Sequence, residues 1–123
     1  MTHHDVDIVL DTFPCNGVTT TCHSLWMGVP VIVRSGGYRC VSRTGASILA
    51  SMGLENLIAG SAREYRDIAV ALATDTERLK CLRAGLRERM ARSPNTDGGA
   101  YTSELEKIYR EMWNEWCKSP SIP

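Results

Sequence analysis

Two short apolar segments, Val6–Leu10 and Val29–Val33, constrain the fold of this chain most strongly. The residues Ile8–Leu10 follow one another without a polar residue between them, which is typical of a parallel strand covered on both faces. Between the two segments, a turn is followed by a helical stretch that extends to about Met27. The sequence therefore predicts a βαβ unit, in which a helix joins two parallel strands.

The predicted turn contains Asn16 and Gly17, residue types that tolerate positive φ angles. Three threonines, Thr19–Thr21, come next, and their hydroxyls can cap the N–H groups that a helix start leaves unpaired. Gly28 is expected to end this helix. The threonines therefore predict where the helix begins.

The start of this helix is a candidate anion site. In a βαβ unit the first strand leads to a helix N-terminus at the carboxyl edge of the sheet, where free N–H groups and the helix dipole favour an anion. Three hydroxyls at this place favour phosphate. No Lys follows Gly17 as in a P-loop, and GxGxxG is absent. Spacing alone leaves two interpretations open, a phosphate-binding turn or threonines that only cap a helix.

Composition limits the class of protein. The chain has 123 residues, 43% of them hydrophobic, which suits one small globular domain. Its 14 basic and 14 acidic residues give no electrostatic reason to bind nucleic acid or a membrane surface. Neither a membrane-spanning run nor a signal peptide is evident. We therefore expect a cytoplasmic protein without nucleic-acid or membrane partners.

The cysteines are odd in number and lack CxxC spacing, so reduced thiols are expected rather than a disulfide framework. Cys15, Cys22, His23 and Cys40 could be drawn together around a metal ion, but their irregular spacing argues against a zinc site. We predict neither a metal nor a cofactor.

The turn that contains Asn16 and Gly17 and leads into Thr19–Thr21 is called the threonine turn below. The loop Arg34–Val41 is predicted at the same edge of the sheet. Ser42 is expected to cap a helix over Arg43–Met52. In the first turn of that helix, Arg43 opposes the helix dipole, so either an anionic ligand or simple solvent exposure accounts for it.

The second half of the chain is predicted to be mostly helical. Leu57–Ala59 forms a short third strand, a capping box at Ser61 and Glu64 begins a helix, and Asp75 caps another over Glu77–Arg92. Three strands are too few for a self-sufficient parallel sheet, so the chain is predicted to be the second half of a larger domain.

A linker-like break, Ser93–Gly99, precedes a last helix over Tyr101–Lys118. One face of this helix carries an aromatic stripe, which either packs on the sheet of this domain or docks in part against another domain. The stripe consists of Tyr101, Leu105, Ile108, Tyr109, Met112, Trp113 and Trp116.

The segment Thr12–Pro30, TFPCNGVTTTCHSLWMGVP, resembles the donor-site segment of the protein O-glycosyltransferase family that contains O-GlcNAc transferase and plant SPINDLY, which is glycosyltransferase family 41. The similarity continues through Ser42–Ala59, Glu64–Asp75, Leu82–Pro94 and Asp97–Cys117, and so covers nearly the whole chain.

The resemblance implies an α/β fold, the Rossmann-like C-terminal half of a GT-B donor domain. Residues 1–96 would be a partial nucleotide-sugar-binding domain, and residues 97–123 an aromatic helix docked on it or on its missing partner. The implied enzyme uses an inverting mechanism without an obligatory metal to transfer GlcNAc from UDP-GlcNAc, or fucose from GDP-fucose, to Ser or Thr of proteins.

The same resemblance implies that the N-terminal GT-B half and tetratricopeptide repeats lie upstream of Met1, together with the catalytic residues. The isolated chain would then be inactive. The alternative is a non-catalytic remnant or interaction module that retains the fold.

The implied site residues follow from the NGxTT turn of the family. His23 stands where relatives carry the Asp or Glu that binds the donor ribose, near what is predicted to be the positive helix end. Val18 replaces a frequent His and keeps only its backbone N–H for phosphate. The donor diphosphate is assigned to Gly17, Val18, Thr19 and Thr20, with possible support from Asn16, Thr21 and Arg43.

Overall fold

The computed structural model describes residues 5–118 and contains a small parallel sheet with helices around it. The strands are β1 (Val9–Leu10), β2 (Val31–Arg34) and β3 (Ile58–Ala59), in the order β1-β2-β3. The α-helices are α1 (Thr19–Trp26), α2 (Thr44–Ala50), α3 (Ala62–Thr74), α4 (Thr76–Ala91) and α5 (Gly98–Lys118). The predicted α/β class and the βαβ unit are confirmed. Residues 1–4 and 119–123 of the predicted segments lie outside the described residues.

The central strand β2 organises the core. Val31, Ile32 and Val33 are fully buried, and β2 pairs in parallel with β1 on one side and β3 on the other. Helices α1, α2 and α3 all contact β2, which explains why this strand needs no polar position until Arg34. The core is completed by apolar residues from the helices and their connections, among them Leu25, Leu49, Leu54, Leu57, Leu72 and Leu86.

The first strand is shorter than predicted. It begins at Val9 rather than at Val6, because the Arg83 guanidinium of α4 binds the preceding chain. Its Nη1 donates to the carbonyl oxygens of Val6 at 2.8 Å and Asp7 at 3.0 Å. These carbonyls are satisfied by a side chain rather than by a neighbouring strand.

The helix predicted over Arg43–Met52 is also shorter. Ser42 does not cap it but belongs to a short 3₁₀ turn, Cys40–Ser42, and its hydroxyl donates to the Arg39 carbonyl at 2.8 Å. Helix α2 follows from Thr44, and Arg43 at its N-cap provides no side-chain hydrogen bond. The predicted serine cap is therefore wrong.

The caps predicted for α3 and α4 are confirmed. The Ser61 hydroxyl accepts from the Glu64 N–H at 3.1 Å, and the Asp75 carboxylate accepts from the Arg78 N–H at 3.0 Å. The Glu64 carboxylate accepts from the N–H of Gly60 at 2.8 Å, one residue before the expected partner in a capping box.

The last helix begins earlier than predicted, at Gly98 rather than at Tyr101. The Asp97 carboxylate accepts from the Ala100 N–H at 2.9 Å, so Asp97 acts as an N-cap within the predicted linker. Along α5 no described residue is buried.

Candidate functional site

The turn after β1 is built on the carboxylate of Asp11. Its Oδ1 accepts from the Gly17 N–H at 2.9 Å and from the Thr12 N–H at 3.0 Å. A carboxylate that accepts backbone N–H bonds makes strong, charge-assisted contacts. The sequence analysis assigned no role to Asp11 in this turn.

Asn16 joins this turn to the end of β2, as the predicted meeting of two loops at one sheet edge requires. Its backbone N–H donates to the Val41 carbonyl at 2.9 Å. Its side-chain Nδ2 donates to the carbonyls of Thr12 at 3.0 Å and Arg34 at 3.3 Å. Only 6% of Asn16 is exposed, so its support of the turn is structural.

Gly17 is needed for space rather than for a left-handed backbone. The glycines with positive φ are Gly28, Gly36, Gly37 and Gly53, so the positive φ expected in this turn is wrong. A Cβ at Gly17 would overlap the Thr20 hydroxyl, and it would lie 3.0 Å from the Thr21 hydroxyl and 3.2 Å from Asp11 Oδ1. A side chain there would displace the hydroxyls at the start of α1 and crowd the carboxylate that holds the turn.

The threonines do not cap helix α1. Val18 occupies the N-cap position and makes no side-chain capping bond. The Thr21 hydroxyl instead donates to the Gly17 carbonyl at 3.0 Å, and only 2% of Thr21 is exposed. The predicted capping role of Thr21 is therefore wrong, since its hydroxyl instead holds the Gly17 carbonyl of the turn.

The first N–H groups of α1 have no hydrogen-bond acceptor within the helix, as at the start of any α-helix. The Cys22 N–H donates to the Val18 carbonyl at 3.0 Å, and the N–H groups before it precede the first complete helical turn. Thr19 and Thr20 are exposed, and Val18 is 52% exposed. The structure thus brings Gly17, Val18, Thr19 and Thr20 together at one accessible helix N-terminus.

The other two assigned residues lie elsewhere on these elements. His23 is exposed in the last turn of α1, so it is near the negative end of the helix dipole rather than the positive end predicted for it. Arg43 is exposed at the N-cap of α2. No hydrogen bond in the described structure joins either side chain to the turn.

Tyr65 supports the site from helix α3 and was missed as a site residue. Its hydroxyl donates to the Asp11 carbonyl at 2.7 Å. Burial raises the pKa of the Tyr65 hydroxyl, and the nearby Asp11 charge raises it further. The phenol therefore remains a neutral donor that ties α3 to the turn.

Three buried side-chain polar atoms have no hydrogen-bond partner in the part of the chain that the structure describes. They are Asp11 Oδ2, Asn16 Oδ1 and Arg34 Nε. All three belong to residues at the carboxyl ends of β1 and β2 or in the turn between β1 and α1. Orphaned polar atoms are rare in a core, so their concentration here makes this edge of the sheet a candidate ligand site.

The cysteines are all free, and burial raises the pKa of the Cys22 thiol. Among residues 5–118, no three His, Cys, Asp or Glu side chains are grouped so that they could hold a metal ion. No described helix combines the length and apolar character needed to cross a membrane.

Comparisons with known proteins identify the family. Residues 3–105 match the family model of glycosyl transferase family 41. The chain is 47% identical over 112 residues to a tomato (Solanum lycopersicum) protein named probable UDP-N-acetylglucosamine-peptide N-acetylglucosaminyltransferase SPINDLY. It is 36% identical over 112 residues to an Arabidopsis thaliana relative of the same enzymatic name, SEC.

These matches cover 91% and 90% of this chain but only 12% and 11% of the two relatives. A mutant of Thermobaculum terrenum O-GlcNAc transferase has a similar structure, with a TM-score of 0.86 and 40% identity. That match covers 95% of this chain and 22% of the other. The resemblance noted in the sequence is confirmed, and the chain belongs to glycosyl transferase family 41.

Proposed function

We propose that this chain is the donor-side part of a protein O-glycosyltransferase, which transfers GlcNAc from UDP-GlcNAc, or fucose from GDP-fucose, to Ser or Thr of acceptor proteins. The observation that carries the proposal is the accessible start of α1. Unpaired N–H groups and the exposed Thr19 and Thr20 lie there, at the carboxyl edge of a parallel sheet. The names of the relatives support a nucleotide-sugar donor and a protein acceptor.

In this proposal the turn binds the diphosphate that leaves when the acceptor hydroxyl displaces it from the sugar, with inversion at the reacting carbon. Backbone N–H groups of Val18, Thr19 and Thr20 donate to phosphate oxygens beside Gly17, whose own N–H is held by Asp11, and the hydroxyls of the two exposed threonines add further donors. Because Asp11, Asn16 and Thr21 hold the turn through hydrogen bonds of 2.9–3.3 Å, these donors need little reorganisation. Helix N–H groups and the dipole stabilise the negative charge, so the mechanism needs no obligatory metal.

The open edge of β1 supports the proposal that the donor domain continues in an upstream polypeptide. The N–H groups of Val9 and Asp11 donate to β2, so the main-chain groups of Leu10 point to the opposite edge. Leu10 is 57% exposed, although it belongs to a strand that would be buried in a complete parallel sheet. Residues 1–96 are accordingly proposed to be a partial Rossmann-like domain, inactive without the N-terminal half, the acceptor-side residues and the tetratricopeptide repeats.

Helix α5 supports the same division of the protein. We assign residues 97–123 to a C-terminal unit whose aromatic helix α5 docks on the upstream half, because the exposed fractions of Tyr101, Trp113 and Trp116 are between 65% and 69%. The five free cysteines suit the reducing cytoplasm, where the proposed acceptors would be modified.

Calorimetric titration of the 123-residue chain with UDP and GDP tests the donor assignment. One of the two nucleotides is expected to bind, and the preferred base distinguishes a GlcNAc donor from a fucose donor. UDP-GlcNAc or GDP-fucose is expected to compete with the corresponding nucleotide. A folded chain that binds neither nucleotide at millimolar concentration contradicts the proposal.

A non-catalytic module is the second candidate, and Val18 and His23 favour it. Val18, which is 52% exposed, stands in the diphosphate turn where relatives often carry His. His23 stands where relatives carry the carboxylate that binds the donor ribose. Under this hypothesis nucleotide binding is lost while α5 still docks on a partner. Restoring the family residues with Val18→His and His23→Asp should then create nucleotide binding that the original chain lacks.

A further inference from the structure

Arg34 contacts the threonine turn, although the sequence analysis did not name it as a site residue. It is the last residue of β2, and its carbonyl accepts from Asn16 Nδ2 at 3.3 Å. The carbon at the centre of its guanidinium lies 4.0 Å from the ring centroid of Phe13, within the range of a cation–π contact. Phe13 belongs to the turn itself. The stack therefore fixes the guanidinium beside the segment that leads into α1.

The charge of Arg34 is not neutralised by the described protein. Its Nε is buried without a hydrogen-bond partner, and among residues 5–118 no carboxylate forms an ion pair with it. Five other arginines lie within 4.0 Å of carboxylate oxygens at Asp7, Asp67, Glu88 or Glu106, and the remaining arginines are exposed to solvent. A guanidinium stays protonated at any accessible pH. Because Nε has no accessible surface, a ligand oxygen would meet the guanidinium at its terminal nitrogens, and pairing there would offset the desolvation cost of the unpaired charge.

We infer that Arg34 binds the diphosphate of a nucleoside diphosphate opposite the start of α1, an assignment that rests on the proposed function. The helix start offers backbone N–H groups and threonine hydroxyls from one side, and the guanidinium offers a planar pair of donors from the other. Arg matches phosphate with two parallel N–H bonds, which neither a lysine nor an apolar residue reproduces. The Phe13 ring holds the guanidinium plane in place, so little side-chain entropy is lost when the ligand binds.

A purely structural role for Arg34, in which the stack with Phe13 only fixes the loop, is the competing explanation. The variant Arg34→Met separates the two, because methionine retains apolar contact with the ring while it removes the charge and the N–H donors. Arg89→Met is the matched control, since Arg89 is exposed on α4 and its loss changes the net charge by the same amount. Thermal unfolding of each variant shows whether the fold persists.

The experiment is a calorimetric titration of the full chain with UDP or GDP, whichever binds. Arg34→Met is expected to weaken binding about 10- to 100-fold, as loss of a charged hydrogen-bonding partner does, and Arg89→Met to leave it unchanged. A folded Arg34→Met chain that binds the nucleotide as tightly as the original overturns the inference. In that outcome the proposed function stands, whereas an original chain that binds neither nucleotide overturns both.

A second measurement requires no substitution in the binding sample. In ¹H–¹⁵N spectra of the original chain, the Nε–H signal of Arg34 is the one missing from spectra of Arg34→Met. Its chemical shift is expected to move on addition of UDP or GDP, and to remain in place on addition of the corresponding nucleoside without phosphates. A signal that does not respond to a bound nucleotide contradicts direct contact, even where Arg34→Met is too unstable to titrate.

Discussion

The central strand and the last helix differ in how the chain covers their apolar side chains. Val31, Ile32 and Val33 of β2 are fully buried between the helices, whereas none of the 21 residues of α5 is buried. Both segments have clear apolar patterns in the sequence. The difference teaches that such a pattern predicts which face will be covered but not which part of a protein covers it.

The largest expected difference is in the loss of stability caused by truncating a core side chain and an aromatic side chain of α5. Leu25→Ala, at a fully buried position of α1, should destabilise the chain by about 2–5 kcal/mol through lost burial and a cavity. Trp113→Ala, at a residue that is 65% exposed, should cost less than about 0.5 kcal/mol. Urea unfolding of the full chain measures both. A loss of more than about 2 kcal/mol for Trp113→Ala would show that α5 packs on this domain.

Alanine substitutions at Gly45 and Gly85 compare a glycine packed against the sheet edge with one that has open space around it. A Cβ at Gly45 of α2 would lie 3.0 Å from Asp11 Oδ2 and 3.0 Å from a Val33 methyl group, so Gly45→Ala should cost about 1–3 kcal/mol. A Cβ at Gly85 of α4 meets no atom within 4 Å, so Gly85→Ala should stabilise by about 0.5–1 kcal/mol. Equal effects in urea unfolding would contradict the described packing around Asp11.

The fold was predictable where the signals are local. Ser61 and Asp75 sit beside the helices they cap, and consecutive apolar residues identify β2 without any knowledge of its neighbours. The predictions were wrong where distant residues or competing local hydrogen bonds determine where an element begins. Arg83 shortens β1 from 77 positions away, and Asp97 begins α5 inside a glycine-rich segment that favoured a linker.

The site was predictable in position but not in construction. The threonine run located the start of α1, yet the carboxylate of Asp11 holds its turn, and Tyr65 supports that turn from a residue 54 positions away. Arg34 looked like the beginning of a loop. Only the fold places its guanidinium over Phe13, because that contact joins two different strand ends.

Removal of the Tyr65 hydroxyl should have a smaller effect, about 0.5–1.5 kcal/mol for one hydrogen bond in Tyr65→Phe. The stability that Tyr65 contributes is complete below its ordinary pKa of 10.0, because the folded state holds the proton more tightly. It is lost as pH rises through the raised pKa. Above about pH 10, unfolding free energies of the original chain should therefore fall more steeply than those of Tyr65→Phe. Parallel curves would show that the hydroxyl ionises as freely as in the unfolded chain.

The smallest effect concerns the reactivity of one thiol packed against the core and one on α5. Cys22 packs against the core from α1 and burial raises the pKa of its thiol, whereas Cys117 is exposed on α5. Because the thiolate is the reactive form, iodoacetamide at neutral pH should label Cys117 on the order of tenfold faster than Cys22. Peptide mass spectrometry follows both rates, and faster labelling of Cys22 would mean that α1 opens readily.

The most direct measurement is a nucleotide titration of the chain in which both Thr19→Ala and Thr20→Ala remove the exposed hydroxyls at the start of α1. Thr74→Ala with Thr102→Ala is the control, because those hydroxyls donate to helix carbonyls of α3 and α5 instead. Loss of binding free energy by about 1–3 kcal/mol in the first double variant, with no loss in the control, is expected if the turn holds the diphosphate. Equal affinity of the original chain and the Thr19 and Thr20 variant would contradict it.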